Sequence, residues 1–256
     1  MGNRQKLSVA IITFNEEQSI RDALESVKWA DEIVIVDSFS TDQTVALCRE
    51  YTARVYRIPW QGHVQQKQFA TDQTTHAWVL SIDADERVSP ALAAEIRAVL
   101  AGEPEYAGYA MPRKTYYLGG WIQHCGWYPD YKVRLFRKQA GQWGGENPHD
   151  RVDVRGPTAR LRHDLYHYSY TDIADHVGKM NSYSSIAAAH KRGTVGGAEI
   201  LARTVLTFFK KYILKQGFRD GTRGLLVSLF AAFTVALKYA KLWERRLEIN
   251  ASRPDK

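Results

Sequence analysis

Residues 7–13 form an unbroken apolar, β-branched run that stops just before Asn15, and Ile20, Ala23, Leu24 and Val27 follow at helical spacing. This predicts strand, turn and helix, with Asn15 and Gln18 at capping-box spacing ahead of the helix. The unit repeats: residues 32–37 read as a second buried strand, 38–42 as a turn, and Val45, Ala46 and Leu47 as the apolar side of a second helix. Val55 and Tyr56 predict a short third strand, residues 64–75 a helix, and residues 77–82 a fourth strand that ends in Asp83. Ser89 is placed to cap the next helix, with Pro90 at the first helical position, where a missing N–H costs nothing. Strands alternating with helices imply βαβ units and a mostly parallel sheet. Such sheets bind ligands beyond the C-terminal ends of their strands, which is where Asn15, Asp37 and Asp83 stand.

From 106 to 153 the texture changes to glycines, short β-like runs and aromatics, including Tyr116, Tyr117, Trp121, Trp127, Tyr128, Tyr131 and Trp143. This region reads as an acceptor-side lobe. Two helical stretches follow, 200–216 and 222–248, separated by the glycine-flanked residues 217–221. The longest apolar run, 224–237, is 14 residues, short of the roughly 20 that a spanning helix needs, so neither helix is expected to cross a membrane. The apolar start of the chain is also too short for a secretory signal, so no export is expected.

A chain of 256 residues that is 45% apolar is long enough for one sizeable α/β core with a smaller lobe. Its two cysteines, Cys48 and Cys125, form no CxxC pair and indicate neither a zinc site nor a disulfide framework, in keeping with a reducing cytosol. The net charge of +7 is uneven: residues 1–100 hold 10 Lys/Arg against 14 Asp/Glu, and the rest 25 against 14. A basic C-terminal half fits an anionic membrane, a phosphorylated substrate or nucleic acid. The basic residues are scattered and no recognition motif accompanies them, so nucleic acid is not expected as a partner.

Asp83-Ala84-Asp85-Glu86 directly follows a buried strand and presents up to three carboxylates in one turn. Packing them so closely is costly without a cation, and a hard divalent metal (Mn2+ or Mg2+) would keep positions open for phosphate oxygens. The plain alternative is an acidic loop ahead of a helix. Asp37 is placed either to accept hydrogen bonds from a base N–H or ribose hydroxyl, or to cap the turn at 38–42. Asn15 reads as a helix cap, and Glu16 and Glu17 as favourable charges at a helix N-terminus. Residues 142–151 gather acid/base groups in an aromatic-flanked loop, where Asp150 is the preferred general base, a salt bridge to Arg151 or Arg134 its structural alternative, and Glu146 the substitute. His163 and His167, four apart in a strand-like segment, would share one face of a strand.

Three ordered blocks resemble the signature of family 2 glycosyltransferases: Val9-Ala10-Ile11-Ile12-Thr13-Phe14-Asn15-Glu16-Glu17, Ile35-Val36-Asp37-Ser38-Phe39-Ser40-Thr41-Asp42-Gln43-Thr44 and Ser81-Ile82-Asp83-Ala84-Asp85-Glu86. The resemblance implies an α/β GT-A fold (Rossmann-like, mostly parallel sheet), a nucleotide-sugar donor, a divalent metal and inversion at the anomeric carbon. Later segments, Tyr117-Leu118-Gly119-Gly120-Trp121-Ile122, Gly126-Trp127-Tyr128-Pro129-Asp130, Arg134-Leu135-Phe136-Arg137 and His167-Tyr168-Ser169-Tyr170, resemble bacterial lipopolysaccharide inner-core β-1,4-glucosyltransferases. By that likeness Thr13, Asn15, Glu16, Asp37, Lys67, Asp83 and Ala84 would contact the donor, and Asp85 and His167 the metal. Asp150 would be the base, and Trp127, Tyr128, Asp130 and Arg134 would meet the acceptor. Phe39 stands where glycine is common, and Pro148-His149-Asp150 replaces a Val-His-Glu pattern, shortening the presumed base.

The expected organisation is a catalytic domain at 1–198, with a nucleotide-sugar part at 1–105 and an acceptor-side part at 106–198, and a C-terminal helical extension at 199–256. The expected reaction, as the resemblance implies it, is transfer of a hexose, glucose from UDP-glucose, to a lipopolysaccharide inner-core heptose, a lipid-linked oligosaccharide acceptor on the cytoplasmic face of the inner membrane. Transfer to polyprenyl phosphate or another envelope glycan, or a sugar-binding module without turnover, are the alternatives. Residues 199–249 carry ten Lys/Arg against four Asp/Glu beside abundant apolar side chains, which fits either peripheral membrane docking or a homo-oligomer interface.

Overall fold

The computed structural model describes residues 4–146, 149–191, 193 and 195–251, without the side chains of Glu146, His149 and 248–251. In chain order the elements are β1 (Leu7–Thr13), α1 (Ile20–Val27), β2 (Glu32–Asp37), α2 (Thr44–Arg49), β3 (Val55–Arg57), α3 (His63–Asp72), β4 (Trp78–Asp83), β5 (Glu86–Val88) and α4 (Pro90–Leu100). There follow β6 (Gly108–Tyr117), β7 (Gly120–Trp121), β8 (Asp130–Arg137), β9 (Gly141–Glu146), β10 (His149–Val154), β11 (Thr158–Arg160) and β12 (Leu165–His167). Three helices, α5 (Ile173–His190), α6 (Gly197–Phe209) and α7 (Gly221–Ala251), complete the set. A π-helical turn at Lys210–Leu214 and a 3-10 turn at Gly217–Asp220 lie between α6 and α7.

The chain divides into two compact units, one of residues 1–114 with 129–169, the other of 115–128 with 170–256. This division does not follow the expected boundary at 198/199: residues 115–128 and 170–198 group with the C-terminal helices.

In the first unit β3, β2, β1 and β4 are parallel neighbours in that order. Strand β8 then adds antiparallel to both β4 and β6, and β12 pairs antiparallel with β5. Chain order therefore reverses between β1 and β4, and their C-terminal ends border the crevice in which parallel sheets take ligands. Strands β1, β2 and β4 read as continuous apolar runs because both faces are covered, whereas the edge strand β3 is part-exposed. Leu7, Val9, Ile11, Ile33, Ile35, Leu80 and Ile82 pack into one cluster with Ile20 and Leu24 of α1 and Leu92 and Ile96 of α4. The alternate residues Ala10, Ile12, Val36 and Val79 pack on the other side with Ala70 of α3, Trp143 of β9 and Val152 of β10. Each fully buried Leu or Ile contributes about 1.5–3 kcal/mol relative to exposure. Ser89 caps α4, its Oγ accepting from Leu92 N at 3.2 Å.

The loop after β1 departs from the capping-box expectation. The residue flanking α1 is Ser19, and Asn15 takes φ +52° outside the helix. Its side chain instead joins two loops, Oδ1 accepting from Thr41 N at 2.8 Å, while Asn15 N donates to Ser40 Oγ at 2.8 Å. Glu16 N donates to Thr44 Oγ1 at 2.7 Å, lacing the loops after β1 and β2 further. Asparagine tolerates the left-handed region better than most residues, and that, rather than helix capping, is its use here.

In the second unit α7 packs against both α5 and α6. The 18-residue helix α5 has no counterpart in the sequence reading. It buries His176, Met180, Ser184 and Ala188, a stripe at i, i+4 spacing whose members are mostly small or polar, so no apolar periodicity announces it. Its start is nonetheless marked, Asp172 accepting from Asp175 N at 2.7 Å.

His176 lies 2.8 Å through Nδ1 from the Tyr117 hydroxyl and packs on Tyr170 and Phe230. Burial pushes its pKa down to about 4, from an ordinary value of 6.5. The unfolded chain therefore takes up the proton first as pH falls. The stability contributed by neutral His176 is complete above 6.5 and is lost as pH falls towards 4, at most about 3 kcal/mol. Thermal unfolding of the second unit is expected to shift down steeply across that window and to be flatter in His176→Gln; identical slopes would contradict this assignment.

The spanning expectation needs correction as well. The helical segment Gly217–Leu247 is 31 residues and is long and apolar enough to cross a membrane by length and composition. The apolar run at 224–237 continues into Tyr239 and Leu242, so counting only the uninterrupted run understated it.

Candidate active site

Register brings three candidate residues to adjacent strand ends: Thr13 of β1 pairs with Asp37 of β2, and Ile12 of β1 with Asp83 of β4. Thr13 Oγ1 is buried and has no hydrogen-bond partner among the described residues. Asp37 is fully buried and caps its turn, Oδ2 accepting from Ser40 N at 3.0 Å and from Arg57 Nε at 3.2 Å, with the Ser40 hydroxyl on Oδ1. Phe39, in that turn, takes φ +62° and is 48% exposed, with the Arg57 guanidinium 5.2 Å from its ring centre. The left-handed conformation explains why glycine suits this position.

Beyond β4 the acidic residues separate into different environments. Asp83 lies 2.8 Å from Lys67 Nζ of α3 and 2.8 Å from Arg134 Nη2 of β8. Burial alone would raise its carboxyl pKa, but the Lys67 and then the Arg134 charge outweigh burial and hold it far below the usual carboxylate range. Glu86 is fully buried, accepts from Asp83 N at 3.0 Å, and lies 2.9 Å from Arg134 and 3.4 Å from Arg113. Asp150 of β10 lies 2.8 Å from the same Lys67 ammonium, which is 3% exposed. Neither Arg151 nor Arg134 is the ion partner of Asp150: Arg151 pairs with Asp153 at 2.8 Å. Lys67 and Arg134 also lie over Trp143, at 5.0 and 5.8 Å from its ring.

Asp83, Glu86 and Asp150 thus face two buried cations, Lys67 and Arg134, and the half-buried Arg113. Among the described residues Asp85 forms no ion pair with a Lys or Arg, although the Arg113 charge acts on it. Its carboxylate meets His167 Nε2 at 3.3 Å. Pairing of β12 with β5 produces this contact by setting His167 opposite Glu86, and Tyr168 N donates to Asp85 O at 2.9 Å. Burial pushes the Asp85 carboxyl up, and the His167 charge outweighs it and leaves it lowered. A carboxylate and an imidazole a few ångströms apart match the donor set of a divalent ion that keeps further positions for diphosphate oxygens. Among the described residues no group of three or more His, Cys, Asp or Glu is placed to hold a metal ion, and Asp85 with His167 is a pair.

The first unit therefore brings Thr13, Asn15, Glu16, Asp37, Lys67, Asp83, Ala84, Asp85, Asp150 and His167 to one set of strand ends and flanking elements. Arg134 is 4% exposed and committed to carboxylates, and Asp130 pairs with Arg113 at 2.8 Å. Trp127 and Tyr128 belong to the second unit, where Trp127 stacks on Tyr170 with ring centres 5.6 Å apart. His163 does not share a strand with His167: β12 starts at Leu165, and His163 is an exposed bend residue whose N–H donates to Glu95 at 3.1 Å. The side chain of Glu146, the substitute base, lies outside the described residues, as do Asn147 and Pro148. Sequence reasoning missed Arg113, Glu86 as a structural acid, and Gln66, which donates to Ser38 Oγ at 2.8 Å. Glu86 carried a signal as the last member of the acidic turn after β4, and Gln66 as the neighbour of Lys67 on α3.

Comparison with known proteins gives the family. The family model for glycosyl transferase family 2 matches residues 8–155, more than half of the chain. An uncharacterized glycosyltransferase of Rickettsia felis is 34% identical over 95% of this chain and 92% of its own length. The lipopolysaccharide core biosynthesis glycosyltransferase LpsC of Rhizobium meliloti is 30% identical over 93% of this chain and 92% of its own. Among solved structures, S. aureus TarS 1–349 aligns with 98% of this chain and 94% of its own at 15% identity and a TM-score of 0.48. Glucosyl-3-phosphoglycerate synthase from Mycobacterium tuberculosis, in complex with Mg2+ and UDP, aligns with 43% of this chain and 44% of its own at 23% identity and a TM-score of 0.35. The chain belongs to glycosyl transferase family 2. Its fold is the expected α/β GT-A arrangement, with the C-terminal helices in addition.

Proposed function

We propose that this glycosyltransferase moves a hexose, with inversion, from a UDP-sugar to a lipopolysaccharide core acceptor. The observation that carries the chemistry is the Lys67 ammonium, which lies 2.8 Å from both Asp83 on the donor side and Asp150, the candidate base. A donor-side acid and a base held by one cation suit a single displacement, in which the acceptor hydroxyl loses its proton as the sugar carbon is attacked. Asp150 takes that proton. The nucleoside rests on Thr13, Asp37 and the laced Asn15 and Glu16 loop, where the orphaned Thr13 hydroxyl gains a partner. Asp83 and Ala84 line the ribose and diphosphate, and Lys67, drawn by the diphosphate charge, loosens its hold on Asp150.

Asp85 and His167 would hold a divalent cation, Mn2+ or Mg2+, which when bound neutralises the charge that develops on the departing diphosphate. The acceptor assignment is supported by LpsC, whose name places it in lipopolysaccharide core synthesis. Asp130 of the first unit is the acceptor-side candidate in this reading, while Arg134 is committed to Asp83 and Glu86.

The test is a thermal-shift screen of nucleotides and nucleotide sugars with Mn2+ present. UDP and a UDP-hexose are expected to raise the midpoint by mass action, and other nucleoside diphosphates to do so less. No shift with any uridine nucleotide would sink the donor assignment.

A further inference from the structure

We infer that the outer face of residues 197–220 in the second unit docks on an anionic bilayer surface. Helix α6 buries none of its side chains. Leu201, Val205, Leu206, Phe209, Ile213 and Leu214 are between 42% and 75% exposed. Leu201, Val205, Phe209 and Ile213 recur every four residues and so form one stripe. The π-helical turn at Lys210–Leu214 then turns Leu214 outward, and Phe218 of the 3-10 turn, 50% exposed, extends the apolar surface. An exposed stripe of this extent on a monomer marks an interaction surface.

Charge selects the occupant. Residues 197–220 carry five Lys/Arg against two Asp/Glu, of which Asp220 is held by His124 at 2.7 Å. Arg203 is tied to Glu199 at 2.6 Å, while Lys210, Lys215 and Arg219 stand exposed beside the stripe. Pairing with a second copy across a two-fold axis would set this basic segment against itself, an arrangement that like charge opposes. An anionic surface supplies both what the stripe and what the lysines lack: an apolar interior for Leu206, Phe209 and Leu214, and phosphate charge for the basic side chains. Tyr212, stacked on Phe208 with ring centres 5.3 Å apart, adds the aromatic, polar-tipped side chain favoured at such an interface.

Docking, rather than crossing, follows from how α7 is held. Lys241 Nζ donates to Asn181 O, Ser184 Oγ and Ser185 Oγ of α5 at 2.8–2.9 Å. Arg245 Nη1 donates to Ala188 O at 3.0 Å, and Lys191 Nζ to the Tyr239 hydroxyl at 2.7 Å. A helix inserted across a bilayer would give up these bonds and bury Lys238 and Lys241 among lipid tails. This inference does not depend on which sugar is transferred.

The experiment is flotation of the full chain with phosphatidylcholine vesicles and with vesicles containing phosphatidylglycerol. Binding is expected on the anionic vesicles, roughly tenfold or more tighter than on the neutral ones, and weakened by salt. Leu206→Ser with Phe209→Ser and Leu214→Ser, all at exposed positions, is expected to remove flotation. Lys210→Glu with Lys215→Glu and Arg219→Glu is expected to remove the preference for anionic vesicles. Circular dichroism and the UDP thermal shift, which reads the first unit, are expected to stay unchanged in both variants. Failure to float with either vesicle would overturn the inference, as would a concentration-dependent dimer that the same serine variant dissolves or extraction of the bound protein only by detergent.

Discussion

Replacing Asp85 with asparagine is expected to lower transfer by roughly 10²- to 10⁴-fold, the equivalent of several kcal/mol of transition-state stabilisation. Asp85 is singled out because the other acids near the strand ends already have partners: Asp83 with Lys67 and Arg134, Glu86 with Arg134 and Arg113, and Asp150 with Lys67. Among the described residues the ion-pair partner of Asp85 is His167, and an imidazole is itself a metal donor. Chelator should reproduce the loss in the unaltered chain, and the asparagine variant should no longer respond to added Mn2+. Initial rates at saturating donor, with and without chelator, check both statements. Undiminished turnover in chelator would remove the cation from the account and leave Asp85 as a partner for His167 alone.

Asp150→Asn is expected to reduce kcat by about 10²-fold or more with the donor KM nearly unchanged, because a proton acceptor acts in the transition state and little in the ground state. The substitution conserves shape, and Lys67 keeps its contact with Asp83, so the buried ammonium is not left unpaired. Removing Lys67 instead would leave Asp83 and Asp150 short of a cation, and breaking a buried pair in that way costs about 3–5 kcal/mol in stability. Asp150→Asn therefore separates catalysis from folding where Lys67→Ala does not. Steady-state kinetics alongside a melting curve make the distinction, and near-normal turnover in Asp150→Asn would transfer the role to Glu146.

The parallel half of the fold was legible because strands buried on both faces leave uninterrupted apolar runs, and β1, β2 and β4 all do. Asp37 and Asp83 were legible as strand-end residues for the same reason: a polar residue that closes such a run must sit at its end. The contact of Asp85 with His167 needed the register of two three-residue strands, β5 and β12, which no periodicity reports. Nor does any local pattern announce Lys67 meeting Asp150, 83 residues away. Asn15 misled because a residue that ties two loops looks, in sequence, like one that caps a helix. Helix α5 stayed hidden because its buried stripe is His, Met, Ser and Ala, and the apolar stretch of α7 was read as too short to span a membrane because Tyr239 and Leu242 lie beyond the uninterrupted run.

The central claim is that residues on the ends of β1, β2 and β4, with α3, β10 and β12 beside them, carry out sugar transfer. Its most direct test is incubation of the full chain with UDP-glucose, Mn2+ and a purified lipopolysaccharide core acceptor, followed by mass spectrometry and NMR of the product. The account predicts UDP release, addition of one hexose to the core, and an anomeric configuration opposite to that of the donor. Hexose transferred with the donor's configuration retained, or transfer that is unaffected by Asp85→Asn and Asp150→Asn together, would contradict it.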